Sequence, residues 1–370
     1  MVEPKIGSYV EALSFPGQSI EELLNSNGMT QRELAARIGF STKHINEVIQ
    51  GKRDISPLLA SKLANVFQPS AQFWNNLQSI YNAEKQRIED EEGITEEEKD
   101  IAKRLPYNKL VSWNYLEECN SIVDRVIKLR KFMGLSDIRN APAFMKNISI
   151  ASANSSLAFR KSESLKIDDY VMTIWLKMCT LSFNQNVPEF DKSKLRESLP
   201  LIKSQISGSD INTSVNTIKE ILSNCGVSFS IIHNLAGAPV QGFIKFQNNK
   251  AVLCLTLRQK FDDILWFTLF HEIGHLLLAR QCKETIVDFS SDSGLALSNE
   301  DEADKFAQDI LIDKKRFEVF SARRFISEAE VIEFAKEEKV PPSVVVGRLG
   351  HSSPNYFSRM ANLRQRINWD

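Results

Sequence analysis

The chain reads Leu265-Trp-Phe-Thr-Leu-Phe-His-Glu-Ile-Gly-His-Leu-Leu-Leu278, and no other stretch constrains the C-terminal architecture as strongly. It contains one HExxH pattern, formed by His271, Glu272 and His275, on a helix predicted from Asp263 to about Arg280. The histidines stand one turn apart on one helical face and can hold one Zn²⁺, while the glutamate can deprotonate water that the metal polarises. The pattern predicts a zinc-dependent hydrolytic site with Glu272 as general base. The alternative is structural, with both histidines satisfied inside a helical core.

A catalytic zinc needs a third protein ligand and one open coordination position. The downstream segment Asn299-Glu-Asp-Glu-Ala-Asp-Lys-Phe-Ala-Gln-Asp-Ile-Leu311 offers several carboxylates. Its predicted buried stripe consists of Ala303, Phe306, Ala307, Ile310 and Leu311. Glu300 and Asp304 lie on the flank of that stripe, one turn apart. We therefore predict Glu300 as the third ligand and Asp304 as the acceptor for the free ring nitrogen of His271. An exposed acidic face is the competing interpretation.

These two motifs resemble those of gluzincin peptidases. More narrowly, residues 265–278, the pattern Glu300-x-x-Ala-Asp-x-Phe-Ala-x-x-Ile-Leu311 and the tail Val344-Val-Val-Gly-Arg-Leu-Gly-His351 resemble the ImmA/IrrE family of metallopeptidases. The resemblance implies a zincin-like α+β domain with a small sheet, Zn²⁺ as cofactor and a protein as substrate. Members of that family are associated with cleaving repressor proteins, which relieves transcriptional repression.

The N-terminal part has a different pattern, of short amphipathic helices separated by Gly and Pro. The predicted helices are Ile20–Asn25, Gln31–Ile38, Thr42–Ile49 and Pro57–Phe67. Apolar residues of the second and third helices face inward, Gly39 permits a tight turn between them, and Ser41 can cap the third. This spacing predicts a helix-turn-helix. A protein-binding helical bundle is the alternative.

The outward face of the third helix carries hydrogen-bonding side chains able to reach base edges in a major groove. These are Thr42, Lys43, His44, Asn46 and Glu47. Phosphate contacts could come from Gln31, Ser41, Lys52 and Arg53. Residues 1–81 contain seven basic and seven acidic side chains, so this part has no net charge. Binding to double-stranded DNA would therefore depend on a local basic surplus and on the pairing of two subunits.

Two resemblances accompany this module. Gln31-x-x-Leu-Ala-x-x-x-Gly-x-Ser41 resembles the phage-repressor type of helix-turn-helix. Phe15-Pro-Gly17, Gly51-Lys-Arg-Asp-Ile-Ser56 and Ala71-x-Phe-Trp-x-Asn-Leu-Gln78 resemble HigA-type antidotes of toxin-antitoxin modules. The second resemblance implies a homodimer that binds operator DNA, represses its own promoter and has a toxin as partner.

The sequence predicts a mainly α chain with an α+β C-terminal domain. We expect a helix-turn-helix domain at 1–81, a charged helical connector at 82–104, a helical middle segment at 105–223 and the peptidase-like domain with its helical tail at 224–370. The connector has Thr95 and Glu98 as a capping box. β-rich runs at Val227–Ile232, Val240–Phe246 and Ala251–Leu257 predict the small sheet, the last two joined by a turn at residues 247–249.

The amino-acid composition excludes a wholly disordered chain and a fibrous repeat protein. The chain has 370 residues with 42% apolar and 25% charged, which suits globular domains, and its 46 basic against 47 acidic side chains give no global positive field. The most apolar stretch, Ile264–Ala279, contains the HExxH residues, and Met1–Val10 lacks a signal-peptide pattern, so we expect a cytoplasmic protein without membrane contact. The cysteines form no CxxC pair and suit reduced thiols in a core: Cys119, Cys179, Cys225, Cys254 and Cys282.

Some details remain open at this level. Gly242–Phe246 or Val252–Leu257 could be a sheet edge that binds an extended substrate, or both could simply complete the sheet. Candidates for stabilising an oxyanion are Tyr356, His351, His233 and Arg258. The tail Ser327–Leu349 has a second residue pattern similar to a helix-turn-helix. Its apolar and small residues suit packing against the peptidase-like domain better than contacts with DNA bases.

Together these patterns predict a DNA-binding transcriptional regulator whose zinc endopeptidase-like domain hydrolyses a peptide bond in a regulatory protein. The rival is a non-enzymatic HigA-type antitoxin that binds its operator and a toxin and keeps the zinc fold as a scaffold or sensor. The intact Glu272 favours the first interpretation, because a scaffold has no need of a general base.

Overall fold

The computed structural model describes residues 15–151, 167–208, 210–258, 260–279, 285–289 and 298–367. Cys282, the first ten residues and residues 152–156 of the Ser- and Asn-rich stretch Asn147–Ser156 therefore lie outside the described residues. The chain forms two compact units, unit 1 with residues 1–103 and 120–127, and unit 2 with residues 104–119 and 128–370. Within the part that the structure describes, no helix combines the length and apolarity that a membrane crossing requires.

Unit 1 is helical and is built around one apolar core. Its elements are α1 (Gly17–Ser26), α2 (Gln31–Ile38), α3 (Thr42–Ile49), α4 (Pro57–Leu63), α5 (Ala71–Glu92) and α6 (Glu96–Arg104). Leu34, Ile45, Leu59 and Trp74 are fully buried in its core. α5 continues through residue 81, where a domain boundary was expected, because Arg87 pairs with Glu84 and Glu91 on consecutive turns.

The remaining helices follow in chain order. They are α7 (Tyr107–Ser112), α8 (Ile122–Met133), α9 (Ala141–Ala151), α10 (Asp169–Leu181), α11 (Lys192–Gln205), α12 (Ile211–Asn224), α13 (Asp262–Leu278), α14 (Ser298–Leu311), α15 (Lys314–Ser321), α16 (Glu328–Glu338), α17 (Pro342–Ser352) and α18 (Asn355–Arg359). Short 3₁₀ turns lie at Ile138–Asn140 and Ala361–Leu363. The chain is thus mostly helical, as the sequence predicts.

The sheet of unit 2 has the order β1-β3-β2-β4. Its strands are β1 (Val227–Ile232), β2 (Val240–Gln247), β3 (Lys250–Thr256) and β4 (Thr285–Phe289). β1 is parallel to β3, and the other pairs are antiparallel. Asn248 and Asn249 form the predicted hairpin turn, both with positive φ. Of the two interpretations of Gly242–Phe246 and Val252–Leu257, the structure agrees with the second: both segments complete the sheet, because β1 and β4 cover their outer sides.

Helices cover both faces of the sheet. On one face, the ring of Trp175 from α10 packs edge-on against Phe243, with 6.0 Å between ring centroids, and Ser182 Oγ lies 3.6 Å from Cys254 Sγ. α13 and its apolar neighbours cover the other face. The middle segment therefore supplies a layer of unit 2, and the expected boundary at residue 223 does not separate two units.

The helix pair α16 and α17 packs against the start of α13. Ser343 Oγ donates a 2.5 Å hydrogen bond to Asp262 Oδ2, and Val344 and Val346 are buried. A side chain at Gly347 would meet Asp263 Oδ2 at 2.9 Å. These are the positions that would contact bases if the tail were a second helix-turn-helix. Here they pack against α13 instead.

Candidate functional site

α13 positions the two histidines of the HExxH pattern inside unit 2. Its apolar residues, among them Leu269, Phe270 and Ile273, are buried on several sides, so the helix is a core element rather than a surface one. His271 and His275 lie one turn apart and are both buried. Glu272 is also buried, on the side of the helix that faces β2.

Three potential ligand atoms converge at this point. His271 Nε2 lies 2.9 Å from His275 Nε2, and Glu300 Oε2 lies 3.2 Å from the first nitrogen and 3.3 Å from the second. In a tetrahedral zinc site with bonds of about 2.0–2.1 Å, neighbouring ligand atoms are about 3.3 Å apart. Two imidazoles and one carboxylate are also a donor set that zinc accepts. Among the described residues, His271, His275 and Glu300 form the one such group.

Asp304 lies on the far side of the first imidazole. Its Oδ1 is 2.8 Å from His271 Nδ1. With its proton on Nδ1 donated to this carboxylate, the ring of His271 presents the Nε2 lone pair toward His275 and Glu300. Asp304 can therefore orient His271 in the tautomer that a metal ligand requires.

The carboxylate of Glu300 is held in its charged form. Burial by itself would raise its pKa, but the adjacent imidazoles of His271 and His275 outweigh burial and hold the pKa of Glu300 well below its usual range. An ionised carboxylate is the form that binds a cation. The arrangement is therefore suited to a divalent ion at neutral pH.

Close packing of α13 and α14 brings the two motifs together. A Cβ at Gly274 would lie 3.0 Å from Phe306 Cδ1 and 3.3 Å from Ala303 Cα, so the glycine allows the helices to approach more closely than another residue would. Ala303 and Ala307 are buried on the facing stripe of α14. This packing sets the distance between Glu300 and the histidines.

Gly242 in β2 is a residue of this site that the sequence patterns did not single out. A Cβ at this position would lie only 1.6 Å from Glu272 Oε1, so the bare backbone of β2 adjoins the buried carboxylate. A glycine inside a strand is a general sign of close approach by another group, and this was the available signal.

A second group of residues missed at the sequence level lies at the start of α13. The Asp263 carboxylate pairs with Arg364 at 2.9 Å, and Asp262 Oδ1 accepts from the backbone N–H of Gln365 at 2.9 Å. Burial raises the pKa of both aspartates, while Arg364 opposes that shift at Asp263. These partners lie about a hundred positions apart in the chain, so no local pattern could reveal them.

The candidates for oxyanion stabilisation occupy different places. The ring of His351 lies 6.4 Å from Phe267, whose ring is 6.2 Å from His271, so His351 stands beside the face of α13 that bears the histidines. His233 is stacked on Trp113 with 4.1 Å between ring centroids. Arg359 covers the ring of Tyr356. Arg258 lies just beyond the end of β3.

In unit 1, α2 and α3 form the helix-turn-helix. Gly39 ends α2 with a φ of 74°, a conformation that glycine adopts without strain. Ser41 Oγ accepts a 3.1 Å hydrogen bond from the His44 backbone N–H and so caps α3. Leu34 and Ile45 join the two helices through the core.

The predicted DNA-contacting residues lie on one surface but differ in exposure. The exposed ones are Ser41, Thr42, Lys43, Lys52 and Arg53, and the half-buried ones are Gln31, His44, Asn46 and Glu47. Glu47 Oε2 pairs with Arg53 Nε at 3.2 Å. His44 packs against Phe40, and burial together with the charge of Arg53 lowers the pKa of His44. The imidazole is therefore neutral near pH 7.

Comparison with known proteins supports a helix-turn-helix in this part of the chain. A family model described as helix-turn-helix (HTH_3) matches residues 20–73. The chain is also 34% identical over 68 residues to "Virulence-associated protein I" of Dichelobacter nodosus, an alignment that covers 18% of this chain and 63% of that relative. Residues 20–73 thus form a helix-turn-helix of the kind that DNA-binding transcription regulators carry. The family match ends before residue 271 and does not bear on the ligand cluster.

Proposed function

We propose that this chain is a transcription regulator with a zinc-dependent endopeptidase unit of zincin-like fold. The observation that carries the proposal is the convergence of His271, His275 and Glu300 beside the buried Glu272, with ligand-atom separations of 2.9, 3.2 and 3.3 Å. The sequence resemblance to ImmA/IrrE and gluzincin peptidases supports the same assignment. The substrate would be a peptide bond in a regulatory protein.

The residues of the cluster have distinct roles in this proposal. His271, His275 and Glu300 would hold the zinc, and Asp304 would fix the orientation of His271. A bound zinc supplies Lewis-acid polarisation of the water and of the scissile carbonyl. Glu272 would take the proton of the attacking water and pass it to the leaving amine. Burial of Glu272 keeps bulk water away from this proton transfer.

The sheet offers a place for an extended substrate. β4 is an edge strand among the described residues, and it pairs with β2 at the register Gly242 to Asp288. Gly242 adjoins Glu272, so a peptide that added to β4 would lie two strands away from the residue that faces the general base. Main-chain hydrogen bonds would then recognise the substrate as an added strand.

The helix-turn-helix would bind operator DNA as a homodimer. Thr42, Lys43 and Asn46 would reach base edges, with His44 and Glu47 at the sides of this surface, and phosphates would contact Gln31, Ser41, Lys52 and Arg53. Pairing with a second copy is supported by the exposed side chains of Phe73 and Ile80, 45% and 67% exposed, within a stretch of α5 from Ala71 to Ala83 that has no charged residue. A charge-free surface suits a two-fold contact, in which the same patch of both copies comes together and like charges near the axis would repel.

Metal analysis and one conservative variant test the enzymatic proposal. We expect one equivalent of zinc per purified chain, lost in His271→Ala and His275→Ala and retained in the matched variant His233→Ala. Glu272→Gln should retain the zinc and operator affinity but abolish cleavage of the regulatory partner. A chain without stoichiometric zinc would contradict the proposal.

The same variant separates the rival function. If Glu272→Gln behaves like the unaltered chain in every regulatory assay, the non-enzymatic antitoxin remains, with a toxin as partner. Co-purification of a toxin whose release requires no cleavage would directly favour the antitoxin function.

A further inference from the structure

We infer that Gly242 is a positioning residue for Glu272: its missing side chain leaves a notch in β2 that seats the carboxylate. The catalytic meaning of this notch rests on the proposed peptidase function. The notch itself is a steric feature of the chain and can be tested without any substrate.

The distances define the notch. An ideal Cβ at Gly242 would lie 1.6 Å from Glu272 Oε1, 2.3 Å from its Cδ and 2.8 Å from its Cγ. Separations this short do not occur between real atoms, so alanine and every larger residue would overlap the carboxylate. Gly242 is in ordinary extended backbone, and the glycine is therefore required by space and not by its φ.

The neighbours of Gly242 show that the notch is local. On the same face of β2, the next residue along, Ile244, is fully buried, so an apolar side chain lies beside the gap. The register of β2 and β4 is irregular between Val240 and Gly242. Glu272 fills the gap from α13 and is completely buried there.

The other end of the glutamate is equally constrained. Its backbone follows that of His271, whose ring is held by Asp304 and lies against Glu300 and His275. The helix thus fixes the backbone from which Glu272 extends, and the strand opposite limits the space for its carboxylate. An added methyl group at Gly242 should displace the carboxylate while leaving the three ligand side chains in place.

The experiment is a double-mutant cycle on stability, measured by denaturant unfolding of the full chain with a chelator present. Without a clash, Gly→Ala inside a strand stabilises, because alanine loses less chain entropy on folding. We expect Gly242→Ala to raise the unfolding equilibrium constant of the otherwise unaltered chain at least tenfold. In the Glu272→Ala background, where the carboxylate is gone, the same change should cost less than twofold.

Glu272→Gln is the matched control, because it keeps the volume of the side chain and removes the charge. Gly242→Ala should remain at least tenfold destabilising in that background. If Gly242→Ala alone does not fold, recovery of a folded chain in Gly242→Ala with Glu272→Ala supports the notch. Equal losses in all three backgrounds, or failure of the double variant to fold, would overturn it.

A second arm measures cleavage. Gly242→Ala should keep full zinc content but lose at least a hundredfold in kcat, with little change in KM. Because aspartate is shorter by one methylene, Gly242→Ala combined with Glu272→Asp should be no slower than Glu272→Asp alone. Additive losses in this pair would contradict the positioning role. If the unaltered chain cleaves nothing, the proposed function fails while the stability cycle still decides on the notch.

Discussion

The helix-turn-helix of unit 1 and the ligand cluster of unit 2 are both built on a pair of helices, but they are stabilised over very different distances along the chain. In unit 1, the four helices from α2 to α5 begin at hydroxyl-bearing residues that cap amides three positions ahead. These are Thr30, Ser41, Ser56 and Ser70. In unit 2, α13 begins at Phe261 without a side-chain cap.

Residues far along the chain take the place of that cap. Ser343 donates to Asp262, and Arg364 pairs with Asp263, across separations of 81 and 101 positions. Folding of α13 therefore requires tertiary structure that α2 and α3 do not need for their caps. A recognition motif of this kind can be read from adjacent residues, whereas a catalytic cluster depends on the whole unit.

The largest expected loss of stability comes from breaking the ion pair between Arg364 and Asp263. Arg364→Ala should destabilise unit 2 by about 3–5 kcal/mol, because it leaves Asp263 buried without its charged partner. The exposed neighbour Arg366→Ala is the control and should cost less than about 1 kcal/mol. Denaturant unfolding checks both. Equal effects of the two variants would show that α13 does not depend on the pair.

The loss of stability in Arg364→Ala should depend on pH, which tests whether the buried charge of Asp263 causes it. Burial raises the folded-state pKa of Asp263, so its ionised form is disfavoured in the folded chain. Because the unfolded states of the two chains titrate alike, the deficit should deepen as the pH rises from the folded-state pKa of Asp263 in the unaltered chain to the higher folded-state pKa that it has without Arg364. Unfolding measured across this range should show a deficit that shrinks on acidification, and a deficit that grows instead would contradict burial as its cause.

The next effect tests whether the two units are energetically separate. Leu34→Ala should destabilise unit 1 by about 2–5 kcal/mol through the cavity that it leaves, and should weaken operator binding. Leu58→Ala is the same substitution at a side chain that is 62% exposed, and should change stability by less than about 0.5 kcal/mol. Zinc content should be unchanged in both. Loss of zinc in Leu34→Ala would break the contrast between the units.

The comparison explains what the sequence could reveal. The helix-turn-helix, α13 with its histidines, and the flank of α14 with Glu300 follow from spacing within single elements. The hairpin of β2 and β3 followed from alternating apolar residues and a two-asparagine turn. These features are local, so periodicity and turn chemistry were sufficient to predict them.

The features that were missed are those in which distant segments meet. The sequence could not decide whether Val252–Leu257 lies at an edge of the sheet, because neither strand alone indicates that β1 pairs with β3. The sequence of α10 predicts a helix but not its place in the fold. The contact between the rings of Trp175 and Phe243 shows that this helix covers the sheet. Gly242 gave a weak sign of close approach, but nothing in the sequence indicated that Glu272 was the group approaching.

A smaller effect is expected where α13 meets α14. Gly274→Ala should cost about 1–3 kcal/mol, because its methyl group would press on Phe306 and on the α14 backbone. Since this packing sets the position of Glu300, zinc affinity should fall together with stability, as competition with a chelator would measure. Phe306→Leu in the same chain should recover part of the loss by removing the ring edge. A stability loss without any change in zinc affinity would contradict the role of this packing in the ligand geometry.

The smallest effect concerns the local cap of α3. Ser41→Ala removes the acceptor for the His44 amide and should cost about 1 kcal/mol, whereas Ser41→Gly should cost only a few tenths, because glycine is itself tolerated at this position. Ser79→Ala, an exposed serine inside α5, is the control and should be neutral or slightly stabilising, because alanine is the better helix former. Denaturant unfolding and operator affinity should be measured on the same samples. If Ser41 also contacts a phosphate, the alanine variant should lose more affinity than its stability loss explains, with a shallower dependence on salt. A cost at Ser41 as large as that at Arg364 would mean that the recognition helix does not depend on local contacts in the way that its caps indicate.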